Sequence, residues 1–133
     1  MRYMGIDYGT KKVGIAFSDE EGTMGFPFDI VTNDSHLSDA LSLLVETQKI
    51  GGIVMGESRD FAGNQNPVAN AARALGDELT ERTGILVAYE PEMLTTQEAR
   101  RDFEGVHSHK RGDVDSSAAA LILTSYLSRH GSR

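Results

Sequence analysis

The start of the chain alternates apolar and polar positions with the period of two that is typical of β-strands. One such run covers 4–6, a turn containing Gly9 follows, and the alternation resumes over 13–17. This arrangement predicts a β-hairpin. A further run at 26–31 predicts a third strand, and Pro27 within it favours the edge of a sheet because proline cannot donate to a central ladder. We therefore expect an antiparallel meander of three strands.

Helical periodicity begins after the meander and then alternates with short apolar runs. The predicted elements are a helix capped within 33–35 and ended by the glycines at 51–52, a buried strand at 53–55, a loop at 58–66, a helix at 68–83, a strand at 85–89, a short helix at 96–104, a mobile loop at 106–112 and a last helix from 113–115 to 127. Glu90 and Pro91 are expected outside the strand before them, because proline lacks an N–H group.

This order of elements, β-β-β-α-β-α-β-α, defines the fold class. Strands that alternate with helices favour parallel pairing, with the helices packed on the faces of the sheet. We therefore expect an α/β fold with a five-stranded mixed sheet and helices on both faces. At 133 residues the chain is the size of one domain, so we expect a single domain over residues 1–133.

The composition narrows the classes of function. The chain has no cysteine and no apolar run near the roughly 20 residues that span a bilayer, so we expect a cytoplasmic protein without a thiolate metal site or a membrane anchor. A formal net charge of −7 disfavours a protein that coats nucleic acid through bulk electrostatics. Basic residues nevertheless outnumber acidic ones from residue 107 onward, which leaves room for a local basic surface.

Four acidic residues are predicted at the ends of elements. Asp7, Glu57 and Glu92 lie at or just after strands, and Asp115 opens the last helix. Ligands gather at the carboxyl ends of strands in sheets of this kind, so we expect these acids to converge. Clustered carboxylates repel one another unless a divalent cation neutralises them, and Mg²⁺ and Mn²⁺ prefer oxygen ligands. One or two such ions can activate water for attack on a phosphodiester, so the pattern favours a nuclease.

Each acid also has a purely structural interpretation. Asp7 can accept hydrogen bonds from the hairpin turn. Asp113 or Asp115 can cap the last helix. Glu57 and Glu92 can be exposed loop residues. Spacing along the sequence does not decide between the structural and the catalytic interpretation.

Three motifs together resemble the YqgF-type, Holliday-junction-resolvase-like family over nearly the whole chain. They are Gly5-Ile6-Asp7-Tyr8-Gly9-Thr10-Lys11-Lys12-Val13-Gly14-Ile15-Ala16, Glu92-Met93-Leu94-Thr95-Thr96-Gln97-Glu98-Ala99 and Val114-Asp115-Ser116-Ser117-Ala118-Ala119. The resemblance implies the RNase H-like fold, with Asp7, Glu92 and Asp115 as metal ligands. It also implies a nuclease that matures the 5′ end of the small-subunit (16S) ribosomal RNA precursor, with resolution of Holliday junctions as the alternative.

Two segments depart from the pattern of that family. Its middle motif usually reads Asp-Glu-Arg-Leu, whereas Pro91 and Met93 flank Glu92 here. A strand that usually ends in Gly-Leu-Pro is replaced here by a segment containing Glu57 and Arg59. We therefore predict Glu57 as a fourth metal ligand and Arg59 as a substitute for the missing arginine.

Basic residues on two segments suit contacts with a nucleic-acid backbone. Lys11 and Lys12 lie at the tip of the predicted hairpin, and Lys110 and Arg111 lie in the predicted loop before the last helix. The same residues are compatible with an ordinary solvated surface. Since no base-reading element is recognisable, the expected partner is structured or single-stranded RNA or branched DNA, and pre-ribosomal particles are a further expected partner.

Two other classes of protein share parts of this pattern. The actin, sugar-kinase and Hsp70 superfamily has the same fold and binds nucleotide phosphate with an Asp-x-Gly-Thr hairpin, but it uses two facing domains. A non-catalytic nucleic-acid-binding or ribosome-assembly protein is also compatible, because the middle motif is altered. The oligomeric state stays open between monomer and homodimer, since a junction resolvase needs two active sites and RNA trimming does not.

Overall fold

A five-stranded sheet forms the centre of the protein. The computed structural model describes residues 1–57, 67–91 and 111–130, with side chains at 1–56, 69–90 and 117–129. None of the helices in these ranges is long and apolar enough to cross a membrane. The elements are β1 (Arg2–Asp7), β2 (Lys12–Ser18), β3 (Gly25–Thr32), α1 (Leu37–Thr47), β4 (Ile50–Glu57), α2 (Pro67–Thr83), β5 (Val87–Pro91) and α3 (Arg111–His130).

Strand β1 is the middle strand of a sheet with the order β3-β2-β1-β4-β5. Strands β1, β2 and β3 pair antiparallel, whereas β4 pairs in parallel with both β1 and β5. The predicted mixed sheet is therefore confirmed, and Pro27 does lie on an edge strand. The register of that edge shifts by one residue, because Ile15 pairs with Asp29 while Ala16 pairs with Pro27. Phe28 is the extra residue of this β-bulge.

Alternate residues of the inner strands enter two separate cores. On one face of the sheet, Ile6 packs with Leu41 of α1 and Leu79 of α2. On the opposite face, Val54 of β4 packs with Leu123 of α3. All five side chains are fully buried, and each contributes about 1.5–3 kcal/mol relative to an exposed position. Helices therefore cover both faces, as predicted.

Helix α3 packs directly against the backbone of the central strand. A Cβ atom added to Gly5 would lie 2.9 Å from the Cβ of Leu123 and 3.0 Å from the carbonyl oxygen of Ala119. Two residues earlier on β1, the Tyr3 ring contacts the Tyr126 ring, with 6.2 Å between their centroids. Because later residues of β1 meet earlier residues of α3, the helix runs antiparallel to the strand. The first turns of α3 therefore approach the carboxyl end of β1.

The predicted limits of α1 are wrong at both ends. Both Gly51 and Gly52 belong to β4. Gly52 pairs with Tyr3 of β1, and Gly51 is the extra residue where the register of the two strands shifts. The helix ends earlier, and Lys49 makes the turn into β4 with a φ of 56°. At the other end, the N-cap residue His36 makes no side-chain capping hydrogen bond. Asp34 instead accepts a hydrogen bond from the backbone N–H of His36 at 2.9 Å.

The prediction for β5 is also wrong at both ends. The strand begins at Val87 rather than at residue 85, and it includes Glu90 and Pro91. Proline is tolerated because β5 is an edge strand, where a missing N–H group need not break a ladder. Helix α3 begins at Arg111, where the sequence predicts a loop. The predicted helix at 96–104 and the rest of that loop lie outside the described residues.

Replacing Gly5 with alanine is expected to destabilise the fold by about 1–3 kcal/mol, because the new methyl group overpacks the contact with α3. Urea unfolding followed by circular dichroism measures this change. Leu86→Ala is the control, since that side chain is 81% exposed, and it should alter the free energy of unfolding by less than about 0.5 kcal/mol. A native unfolding midpoint for Gly5→Ala would contradict the proposed constraint.

Candidate active site at the end of the central strand

Asp7 is the last residue of β1 and lies in the centre of the sheet. It pairs with Gly14 of β2, and only 5% of its surface is exposed. Because side chains alternate along a strand, Asp7 lies on the same face of the sheet as Gly5, which is the face covered by α3. A carboxylate at such a position requires hydrogen-bond donors or a cation nearby. The burial of Asp7 is therefore consistent with a carboxylate that binds such a partner at the end of the strand.

The start of α3 lies at the same end of the sheet as Asp7. Gly5 meets Ala119, and Asp7 lies two residues, or about 7 Å, further along β1. Residue 115 lies one helical turn before Ala119 in the backbone of α3, about 6 Å in the same direction. Asp115 therefore belongs to the part of α3 that precedes its contact with Gly5. Its side chain is outside the described residues.

Of the other two predicted ligands, one is the last residue of a strand and one follows a strand in the sequence. Glu57 is the last residue of β4 and pairs with Pro91 at the end of β5. Since Ile6 pairs with Met55, the carboxyl ends of β1 and β4 lie at one edge of the sheet. The side chain of Glu57 is not among those described. Glu92 follows directly after β5 and is itself outside the described residues.

Among the four predicted ligands, only Asp7 has both its backbone and its side chain within the described residues. Within these residues no three histidine or acidic side chains form a cluster that could hold a metal ion. Among the residues predicted to contact a nucleic-acid backbone, Lys11 is exposed on the turn after β1 and Lys12 is exposed at the start of β2. Arg111 is the first residue of α3. The remaining two, Arg59 and Lys110, lie outside the described residues.

The turn between β1 and β2 is held by Asn33, a residue predicted only as a possible helix cap. Its side-chain amide donates to the carbonyl oxygen of Gly9 at 2.7 Å, and its backbone N–H donates to that of Lys11 at 2.9 Å. Gly9 is required here, because an added Cβ would lie 2.5 Å from the carbonyl oxygen of Lys12. Asn33 thus fixes the segment that joins Asp7 to the two lysines.

Glu90 is a second buried acid that the sequence analysis did not select. It is 3% exposed and accepts a hydrogen bond from the hydroxyl of Ser125 at 2.7 Å. Arg129 forms an ion pair with its other carboxylate oxygen. One signal was available in the sequence, because Glu90 follows an apolar run just as Asp7 does. Its partners on α3 were not visible there.

The fold is similar to that of solved Holliday junction resolvases. RuvC from Thermus thermophilus, solved in complex with a Holliday junction substrate, matches with a TM-score of 0.65 at 16% identity, over 98% of this chain and 97% of that one. The fowlpox virus Holliday junction resolvase matches with a TM-score of 0.56 at 13% identity, over 97% and 99%. The fold is therefore RNase H-like, as the sequence resemblance implied.

Sequence comparison identifies the family. A family model described as "RuvX: Holliday junction resolvase" matches residues 1–129, and the chain belongs to this family of nucleases. Relatives with the curated name "Putative pre-16S rRNA nuclease" match nearly end to end. The relative from Lactiplantibacillus plantarum is 37% identical over 98% of this chain and 96% of its own length. The relative from Streptococcus agalactiae is 35% identical over 97% and 99%.

Replacing Asn33 with alanine is expected to loosen the turn after Asp7, because the carbonyl of Gly9 loses its donor. The free energy of unfolding should fall by about 0.5–1.5 kcal/mol, and amide hydrogen exchange should accelerate at residues 8–12. Asn70→Ala is the matched control, since Asn70 is exposed on α2. Unchanged exchange at residues 8–12 would show that Asn33 does not hold the turn.

Proposed function

We propose that this protein is a metal-dependent nuclease that hydrolyses phosphodiester bonds during 5′-end maturation of the 16S ribosomal RNA precursor. The observation that carries the proposal is the buried Asp7 carboxylate at the end of the central strand, on the sheet face that α3 covers. Membership of a nuclease family supports the reaction class. The curated names of the relatives support the RNA substrate.

Three carboxylates are proposed to act together, namely Asp7, Glu92 and Asp115, with Glu57 as a fourth ligand. They would hold one or two Mg²⁺ or Mn²⁺ ions. The chemistry of the donors fits, because Asp7 offers carboxylate oxygens in a water-poor position and both ions prefer oxygen ligands. A bound ion would supply an activated water and stabilise negative charge on the phosphodiester.

The residues of the chain itself would position the substrate. Pairing with β2 would hold Asp7 at the end of β1, and the turn fixed by Asn33 leads from Asp7 to the exposed Lys11 and Lys12. Their ammonium groups would bind backbone phosphates without regard to sequence. Arg59, Lys110 and Arg111 are proposed to extend this contact.

Resolution of Holliday junctions is the second candidate function. The description of the matching family favours it. It would require two copies of the site in a homodimer, because two opposed strands of a junction must be cut. RNA maturation needs one site, so the choice of substrate and the oligomeric state are linked.

Replacing Asp7 with asparagine is expected to abolish metal-dependent cleavage. The variant removes one anionic ligand while keeping the size of the side chain. The rate should fall at least about a hundredfold, which corresponds to a loss of about 2.7 kcal/mol of transition-state stabilisation. The assay uses end-labelled single-stranded RNA, single-stranded DNA of matched sequence and a four-way junction, each with Mn²⁺, Mg²⁺ or a chelator.

Asp77→Asn is the control for this assay, because Asp77 is exposed on α2. Preferred cutting of RNA supports the proposed maturation role, and preferred cutting of the junction supports the second candidate. Equal activity of the native chain and Asp7→Asn would overturn the assignment of Asp7. An absence of cutting on all three substrates would favour the non-catalytic binding protein.

Replacing Lys11 and Lys12 together with glutamine is expected to weaken RNA binding and its dependence on salt. The slope of log K against log salt should fall by about 0.7 for each phosphate that a lysine no longer neutralises. Filter binding of single-stranded RNA over a range of salt concentrations measures this slope. Lys49→Gln is the control, since Lys49 is exposed beside the opposite end of the sheet. An unchanged slope in the double variant would contradict the proposed binding of phosphates by these lysines.

A further inference from the structure

Glu90 connects an edge strand to the last helix through a buried carboxylate. Its side chain is 4% exposed, whereas that of its partner Arg129 is 55% exposed. The hydroxyl of Ser125 donates to the second carboxylate oxygen at 2.7 Å. Burial of a charged group is costly unless it is paired and hydrogen-bonded. Both oxygens of Glu90 therefore depend on α3.

The position of Glu90 in the sheet relates it to the proposed active site. Glu90 pairs with Gly56 of β4, and Gly56 follows Met55, the partner of Ile6 on β1. Asp7 and Glu90 are thus at corresponding levels of two strands, with β4 between them. Both lie on the face covered by α3. Neighbouring strands are about 4.8 Å apart, so the two backbones are separated by about 10 Å.

The partners of Glu90 indicate a structural role within the site rather than a ligand role. Ser125 and Arg129 lie in the second half of α3, whereas the proposed ligand Asp115 lies near its start. Each carboxylate oxygen of Glu90 already has a partner on that half of the helix. The chain leaves β5 at Pro91, directly before the proposed ligand Glu92.

We infer that Glu90 is a positioning residue of the active site. Its bonds to α3 fix the end of β5 against the helix that contains the proposed ligand Asp115, on the sheet face and at the strand level of the proposed ligand Asp7. This inference rests on the proposed function, because it gives Glu90 a purpose only where those two acids act together. It adds a role for a residue outside the motifs that define the family resemblance.

The test compares Mn²⁺ binding by the native chain and by Glu90→Gln in isothermal titration calorimetry. The variant keeps the shape of the side chain but loses the charge that holds Arg129. Removal of groups that orient metal ligands typically weakens metal affinity by about 10–100-fold, and we expect a loss of that size. Cleavage of single-stranded RNA should require correspondingly more Mn²⁺, and its rate should recover at saturating Mn²⁺.

Glu78→Gln is the matched control. Glu78 also accepts a hydrogen bond from a serine, Ser38, at 2.8 Å and pairs with an arginine, Arg82, at 3.4 Å. These residues join α1 to α2 on the opposite face of the sheet, and none of them is a proposed ligand. The control should keep native Mn²⁺ affinity, even if its unfolding midpoint in urea changes. If Glu78→Gln weakens Mn²⁺ affinity as much as Glu90→Gln does, the loss follows from breaking any such side-chain contact to a helix, and the inference is wrong.

Arg129→Gln provides a second variant in case Glu90→Gln does not fold. This variant keeps the hydrogen bond from the Ser125 hydroxyl to Glu90, so we expect a smaller loss of Mn²⁺ affinity than in Glu90→Gln. Arg129→Lys restores a positive charge and should recover part of the lost affinity. If every folded variant binds Mn²⁺ with native affinity, the inference about Glu90 is wrong, whereas the proposed function is unaffected. A native chain that binds no Mn²⁺ would overturn the proposed metal-dependent function, and the inference with it.

Discussion

Close contact between α3 and the backbone of the sheet fixes the arrangement on which the candidate site depends. At Gly5 the central strand lies against Ala119 and Leu123 with no side chain between them. At Gly25 the edge strand β3 is equally close to Leu123, and its N–H donates to the hydroxyl of Thr124 at 2.9 Å. Two glycines on different strands thus fix both the position and the rotation of the helix. The start of α3 is thereby directed to the end of β1.

The two faces of the sheet differ in what they bury. The face covered by α1 and α2 contains the larger apolar cluster, including Ile6, Leu41 and Leu79. The face covered by α3 contains a smaller one, rich in alanine, together with the buried acids Asp7 and Glu90. A buried carboxylate is costly, so the apolar packing of the first face must offset the free energy of burying charge on the second.

Local patterns predicted the order of strands and helices along the chain, because alternation and turn residues act over a few positions. They failed where distant contacts decide the structure. Gly52 is typical of a helix stop, yet the ring of Tyr3 lies where its Cβ would be. Asp7 was predicted from its place in an apolar strand. Glu90 was not, since its partners lie 35 and 39 residues further along the chain, and the side chains of the other predicted acids lie outside the described residues.

A chain with a net charge of −7 must confine its attraction for a polyanion to a small area. Lys11 and Lys12, within five residues of Asp7, are proposed to provide such an area. Asn33 bonds to the backbone on both sides of the turn tip, so it fixes the distance between the acid and the lysines. Salt screens charges beyond about 10 Å at 0.1 M, so a phosphate bound at this turn is governed by these two ammonium groups more than by the distributed negative charge.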